Sequence, residues 1–292
     1  MATARRPLWQ RMPWFDRAGR FSILKTATLV GVAAPALWLA YEAATVGLGP
    51  RPFTEAIHRL GDWTIYLLLI TLTVTPARRL LNWGQLIQIR RILGVSALAY
   101  ILGHFLFYIV DSKWNLLFVG QEIVLRFYLA IGFVAIVMLS ILGATSTDAM
   151  IKRIGGQHWR RLHQLVYPAT ALGILHYYLQ SKLDVSQPVI MSGFFFWLMG
   201  YRIMAHYGPK EGFLPLTGLA VASALMTAAV EALWYQLMTG VGGGPFLAAN
   251  LDFAYRIAPM WWVLAAGLAV VVVAEVRRRL GGVTAGRRAK PA

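Results

Sequence analysis

Six histidines are the residues of this chain best suited to hold a metal or to move a proton, and the chain has no cysteine. The lack of cysteine excludes disulfides, thiolate-held iron–sulfur clusters and covalent c-type haem attachment. His104 and His176 lie deep within apolar stretches, where ionisable groups are costly and usually face a polar site. These two histidines are therefore the first candidates for cofactor ligands.

The depths of these two histidines can be compared from their spacing to basic residues. His104 follows Arg91 by 13 residues and His176 follows Arg161 by 15, which places them about 20 and about 22 Å from those arginines along a helix. Two neutral imidazoles facing each other at one level can ligate a haem iron on both sides. The alternative is that each histidine hydrogen-bonds a neighbouring helix, as polar residues in membrane bundles do.

Glycines lie close to both histidines in the sequence. Gly103 adjoins His104, and Gly173 lies about one turn before His176. Because glycine has no side chain, both positions are predicted to leave room for a flat macrocycle.

His163 and Arg126 are the secondary candidates. His163 precedes His176 by 13 residues and could ligate a second redox centre near the inner edge of the membrane. A straight helix would turn the two histidines about 140° apart, although Pro168 between them could kink it. His163 could instead contact headgroups or a loop, or border a quinol or flavin site. Arg126 could neutralise a haem propionate, or it could extend to the interface as an ordinary membrane arginine.

The composition indicates that the segments that carry these residues lie in a lipid bilayer. Hydrophobic residues make up 58% of the 292 residues and charged residues only 14%. A soluble domain could not bury so much apolar surface in one core. Spanning segments must be helical, so we predict an all-α polytopic membrane protein. The eight predicted spans are residues 21–45, 60–77, 91–111, 122–144, 161–180, 188–207, 214–237 and 257–276.

The positive charge predicts the orientation of the chain. The 28 Lys and Arg residues outnumber the 12 Asp and Glu residues and give a formal charge of +16. Most of the basic residues fall on one side when the spans alternate, so we assign the excess to membrane orientation rather than to nucleic acid. Both termini are then cytoplasmic, with basic tails at 1–20 and 277–292. The loops are too short for a separate catalytic domain.

The stretch from residue 90 to residue 178 resembles the MsrQ family, the haem-binding membrane subunits of the bacterial protein-methionine-sulfoxide reductase system, within the ferric-reductase-like transmembrane domains. The segments that carry the resemblance are Arg90-Arg91-Ile92-Leu93-Gly94, Ala99-Tyr100 with His104, Arg126-Phe127-Tyr128, Ala144-Thr145-Ser146, Trp159-Arg160-Arg161-Leu162-His163, Leu165-Val166-Tyr167 and His176-Tyr177.

The resemblance implies a six-helix haem-binding core over residues 21–207, and residues 208–276 are predicted to add two transmembrane helices. It implies haem b, one or two per chain, ligated by His104 and His176, with His163 matching a third family histidine. It also implies FMN, location in the bacterial inner membrane, and electrons from the quinone pool or a cytoplasmic flavin reductase. Those electrons would pass to a periplasmic molybdopterin methionine-sulfoxide reductase, in a heterodimer, for repair of oxidised envelope proteins.

Two other classes of function are consistent with the residues alone. A proton-coupled transporter could use the intramembrane histidines together with Glu231. A non-redox membrane anchor for a partner enzyme would need the histidines only as structural residues. If the resemblance to the MsrQ family holds, the chain is instead an electron-transfer subunit of an oxidoreductase and does not itself reduce methionine sulfoxide.

Overall fold

A computed structural model of the chain describes residues 12–15, 18–181, 184–208, 211–254 and 256–288, with side chains as far as residue 280. Within these residues the chain is helical and has no strand, which confirms the prediction of an all-α protein. Twelve α-helices are present in this part of the chain: α1 (Ile23–Thr45), α2 (Pro52–Leu80), α3 (Arg90–Asp111), α4 (Leu116–Leu125), α5 (Phe127–Ala144), α6 (Asp148–Ile154), α7 (Gly156–Leu162), α8 (Val166–Ser181), α9 (Ser186–Tyr207), α10 (Phe213–Thr239), α11 (Gly243–Ala249) and α12 (Pro259–Arg288).

Seven helical segments of the described chain are long and apolar enough to cross a membrane. They are α1, α2, α3 with the short 3₁₀ turn before it, α5, α9, α10 and α12 as far as Leu280. The predicted span at 161–180 is α8, which has 16 residues and falls below that length. The number of spans and the cytoplasmic position of the termini therefore stay predictions. Residues 1–11 and 289–292 of the predicted basic tails lie outside the described residues.

The predicted span at 122–144 is divided into two helices at Arg126. This residue has extended backbone angles, φ −108° and ψ 107°, and it ends α4 and begins α5. A break here places the charged side chain at the end of an apolar segment rather than within it, which is the less costly arrangement in lipid. The 18 residues of α5 then form the span.

The helix of His176 begins with an irregular turn. α7 ends at Leu162, residues His163–Leu165 form a 3₁₀ turn, and α8 follows. Pro168 lies in the first turn of α8, where a missing N–H costs no helical hydrogen bond. The irregular backbone near Pro168 is thus the 3₁₀ turn that precedes α8, and the kink predicted at Pro168 stays a prediction.

The chain divides into two compact units, and the first comprises residues 1–74 and 85–170. Within it a side chain of α3 interrupts the backbone bonding of α1. The Tyr100 hydroxyl accepts from the Ala36 N–H at 3.0 Å and donates to the Val32 carbonyl at 2.7 Å. In an unbroken helix those two backbone groups would bond each other, so the hydroxyl is inserted into the ladder beside Pro35. This insertion fixes α3 against α1.

The second unit comprises residues 75–84 and 171–292, and α9, α10 and α12 pack together in it. Gly193 allows close approach, because a Cβ there would lie 2.4 Å from both Thr227 Oγ1 and Val263 Cγ2. Gly267 has the same role against Ala220, at 2.7 Å. Small residues at helix contacts are the usual means of packing helices in a membrane. The C-terminal helices α10 and α12 are therefore closely packed on α9.

Candidate functional site

His104 is held by the backbone of α2. Its Nδ1 lies 2.7 Å from the carbonyl oxygen of Ile57, and a carbonyl can only accept, so Nδ1 carries the proton. The lone pair of the neutral ring is then on Nε2. A ring N–H donated to a backbone carbonyl is the usual arrangement of a metal-binding histidine, because it fixes both the tautomer and the ring orientation.

Gly61 is the residue that lets this imidazole approach α2. A Cβ at position 61 would lie 3.1 Å from Nδ1 and 3.3 Å from Cε1 of His104. Gly103, which was predicted to leave room for a macrocycle, faces α2 instead: a Cβ there would contact Leu60 at 3.4 Å. The glycine that shapes the surroundings of His104 is thus on the neighbouring helix.

His163 is held by contacts with Trp159 and Ser146. Its ring stacks on Trp159 with centroids 3.8 Å apart, and its Nδ1 lies 3.1 Å from the Trp159 carbonyl oxygen. Its Nε2 lies 3.3 Å from Ser146 Oγ, while the Ser146 hydroxyl donates to the Leu142 carbonyl at 2.7 Å. A metal ion could bind at Nε2 only if the Ser146 side chain turned away.

Arg126 already has an acidic partner. Its Nε lies 2.5 Å from Glu122 Oε2, and its Nη1 donates to the Tyr128 hydroxyl at 3.2 Å. Tyr108, one helical turn beyond His104 on α3, interacts electrostatically with Glu122 and Arg126. Arg126 is therefore near the C-terminal end of α3, but an anion would have to compete with Glu122 for the guanidinium.

His104 belongs to the first compact unit and His176 to the second, so the structure describes each within its own unit. His176 is half-buried on α8. The pairing of the two rings around one cofactor stays a prediction.

The helix that carries His176 is anchored by the residue two positions further on. Tyr178 is buried, and its hydroxyl is hydrogen-bonded to the hydroxyl of Ser192 on α9 at 3.2 Å. Its ring lies 5.0 Å from the ring of Trp234 on α10. One of the added C-terminal helices, α10, thus contacts the part of α8 that bears His176.

An ion pair between a buried carboxylate and a half-exposed arginine links α10 to the loop before α12 in the second unit. Glu231 is only 2% exposed, and its Oε1 accepts from Arg256 Nη2 at 2.7 Å. Arg256 also donates to the Ser186 hydroxyl at 2.7 Å. Hydrogen bonds from the backbone and hydroxyl of Ser186 lower the pKa of Asp184. Sequence analysis singled out Glu231 without naming its partner, which lies 25 residues away.

Three residues near His104 are important in the structure but were not assigned a role from the sequence: Ile57, Gly61 and Tyr100. Tyr100 lies one turn before His104 within a family-like segment, and that spacing is a signal of its use on the same helix. The contribution of Ile57 is a backbone carbonyl, which no residue type reveals. Gly61 is one of 27 glycines, and only the packing of α2 on α3 distinguishes it.

Comparison with known proteins places this arrangement in a family. Residues 60–174 match the family described as "Ferric reductase like transmembrane component". A heme-binding subunit MsrQ of protein-methionine-sulfoxide reductase from Rhodospirillum rubrum is 38% identical over 192 residues, which is 65% of this chain and 89% of that protein. The region shared with that relative therefore leaves about a third of this chain outside it.

Other relatives carry the same description. The MsrQ subunit of Herminiimonas arsenicoxydans is 38% identical over 59% of this chain and 80% of its own length, and that of Caulobacter vibrioides is 38% identical over 58% and 81%. No solved structure matches the chain. Because these relatives are 38% identical to the chain and are covered over most of their length, the chain belongs to the MsrQ family of haem-binding membrane subunits of protein-methionine-sulfoxide reductase.

Proposed function

We propose that this chain is a b-type haem subunit that carries electrons across the bacterial inner membrane to a periplasmic molybdopterin methionine-sulfoxide reductase. The electrons would come from quinol or from a cytoplasmic flavin reductase, and FMN would bind as a further cofactor. The partner subunit would form a heterodimer with this chain and would reduce methionine sulfoxide in envelope proteins. Residues 208–276, mostly α10 and α12, are proposed to extend the haem-binding core of residues 21–207.

The observation that carries this proposal is the hydrogen bond between His104 and the Ile57 carbonyl, at 2.7 Å. It keeps the proton on Nδ1 and the lone pair on Nε2, and it increases the basicity of the ligating nitrogen. Haem supplies one-electron chemistry at its iron when bound. The residues of this chain orient the ligand, through Ile57 and Gly61, and hold its helix, through Tyr100.

His176 is proposed as the second ligand and Arg126 as the partner of a propionate. If a haem propionate replaced Glu122 as the partner of Arg126, the guanidinium would stay paired with a carboxylate. His163 is proposed as a ligand of a second haem only with a rotated Ser146 side chain, because the present contact at 3.3 Å occupies Nε2. Haem stoichiometry therefore decides between one centre and two.

The test combines the absorption spectrum of the intact protein, which reports the spin state, with a pyridine haemochrome assay, which reports the type and amount of haem, on protein purified from haem-replete cells. Wild-type protein should show low-spin haem b, and H104A and H176A should lose it. H58A and H206A are matched controls, because both side chains are exposed and should leave the haem content unchanged. If H104A retained the wild-type spectrum and stoichiometry, the ligand assignment would be wrong.

Electron delivery needs a separate measurement. The purified chain in liposomes should transfer electrons from a reduced quinol to the molybdopterin partner, measured as methionine produced from methionine sulfoxide. The haem-free H104A variant should lack this electron-transfer activity but should still bind the partner. Undiminished activity without haem would support the alternative of a non-redox anchor.

A further inference from the structure

The second unit contains a pocket of about 490 Å³ that the haem function does not use. It lies between the end of α2, the start of α10 and the part of α12 between Val271 and Leu280. The residues that line it include the apolar Phe213, Leu216 and Val271 and the cationic Arg79, Arg277 and Arg278. A pocket of this size with both apolar and cationic lining suits an amphiphilic anion.

The carboxylates on the pocket wall are already engaged. Glu211 accepts from the Tyr201 hydroxyl at 2.5 Å, and Glu275 pairs with Arg278 and, at 2.8 Å, with Arg279. Among the described residues, neither Arg79 nor Arg277 forms an ion pair with a carboxylate. Arg79 is hydrogen-bonded to the Tyr201 hydroxyl, so its contact with Glu211 is indirect. The lining therefore presents two guanidinium groups without a direct ion pair to an acidic side chain of the described chain.

The lining residues lie at the ends of predicted membrane spans, which places the pocket at the membrane–water interface. Arg79 is at the end of the span in α2, and Arg277 is near the end of the span in α12. The basic residues at both ends belong to the predicted cytoplasmic side. Leu280 and Phe213 also line the pocket and are 59% and 54% exposed, so apolar surface continues from the pocket to the outside of the helices.

The start of α10 adds to the positive potential. Gly212 lines the pocket, precedes a helix of 27 residues and provides no side-chain cap. The N-terminal end of a helix carries a partial positive charge. This contribution supports the two arginines, which together with the cavity carry the argument.

We propose that this pocket binds the phosphate headgroup of an anionic phospholipid, with Arg79 and Arg277 on the phosphate and the apolar lining residues against the first part of an acyl chain. Basic pockets between transmembrane helices on the cytoplasmic side are suited to such headgroups. The lipid would join the end of α2 to α10 and α12, which are the helices of the C-terminal extension.

The test is native mass spectrometry of the full chain in detergent with added phosphatidylglycerol, phosphatidylcholine or inorganic phosphate. Wild-type protein should retain one phosphatidylglycerol in preference to phosphatidylcholine, and added salt should reduce this preference. R79Q/R277Q should bind phosphatidylglycerol about thirtyfold more weakly, as expected for the loss of two interfacial charges. K152Q/R153Q removes two positive charges that do not line the pocket and should bind as wild type does.

Three results would overturn the proposal. The first is equal retention of phosphatidylglycerol and phosphatidylcholine by wild-type protein, a comparison that needs no variant to fold. The second is an equal loss of binding in K152Q/R153Q, which would indicate a general charge effect. The third is displacement of phosphatidylglycerol by millimolar inorganic phosphate, which would identify a site for free phosphate.

Discussion

Replacement of Gly61 by alanine tests the ligand role of His104 without removing the histidine. The new Cβ would lie 3.1 Å from Nδ1, so the ring must move by about 0.3 Å to restore an ordinary contact of 3.4 Å. Overpacking of this kind costs about 1–3 kcal/mol, and alanine in a helix recovers about 1 kcal/mol relative to glycine. The protein should therefore still fold and bind haem.

The measurable effect of G61A is on the redox potential. Displacement of the ring weakens the bond between Nδ1–H and the Ile57 carbonyl, whose net value is about 1 kcal/mol. That bond makes the imidazole a stronger donor and favours ferric iron, so weakening it should raise the midpoint potential. Only the part of this free energy that differs between ferric and ferrous haem shifts the potential, so the rise should be at most about 40 mV for one electron, from 59 mV for each factor of ten.

The assay is a spectroelectrochemical titration of purified G61A beside wild type and G94A. Gly94 is the matched control on α3, because a Cβ there would meet only Thr71 Cγ2 at 3.9 Å. G94A should keep the wild-type potential. An unchanged potential in G61A, or an equal rise in G94A, would refute the assignment of His104 as a ligand held through Nδ1.

Three further outcomes follow from hydrogen bonds and charges. Y100F should lower the free energy of unfolding by about 1–2 kcal/mol, seen as a lower thermal midpoint, because it removes the hydroxyl inserted into α1. R256A should lower the free energy of unfolding by about 3 kcal/mol, because it leaves the Glu231 carboxylate buried without its cation. R256A/E231Q should recover most of that loss. Equal thermal midpoints for the single and double variants would contradict the ion pair. Because the pKa of Asp184 is lowered in the folded protein, its stabilising effect is present above the ordinary carboxyl pKa of about 3.9 and is lost as the pH falls through the lowered value. The thermal midpoint of wild type should therefore exceed that of D184N at pH 7, with a difference that shrinks below about pH 4; a difference independent of pH would contradict this.

The spans could be predicted where apolar length alone decides them. The predicted span 91–111 is α3, Arg90–Asp111, and 188–207 is α9, Ser186–Tyr207. The break at Arg126 could not be predicted from apolar length, because α4 ends at the residue whose side chain bonds Glu122 and Tyr128. Periodicity and hydropathy carry no information about such polar partners.

The sequence selects candidate ligands for the site but carries no information about their surroundings. His104 could be selected because an ionisable group in an apolar segment is costly. Its orientation depends on a backbone carbonyl and on a glycine of another helix, and these contacts arise only when α2 packs on α3. For the same reason Arg256 could not be paired with Glu231 from sequence, since the intervening loop and α11 decide their approach.

The insertion of Tyr100 into α1 has a consequence for how this protein can change in evolution. Pro35 and Tyr100 are far apart in the sequence, yet the hydroxyl bonds the two backbone groups of α1, at Val32 and Ala36, that do not bond each other. A chain that lost the tyrosine would keep two poorly paired backbone groups in hydrocarbon unless these groups bonded each other directly. Substitutions at positions 35 and 100 should therefore occur together among descendants of this sequence, with a regular first helix wherever phenylalanine replaces the tyrosine.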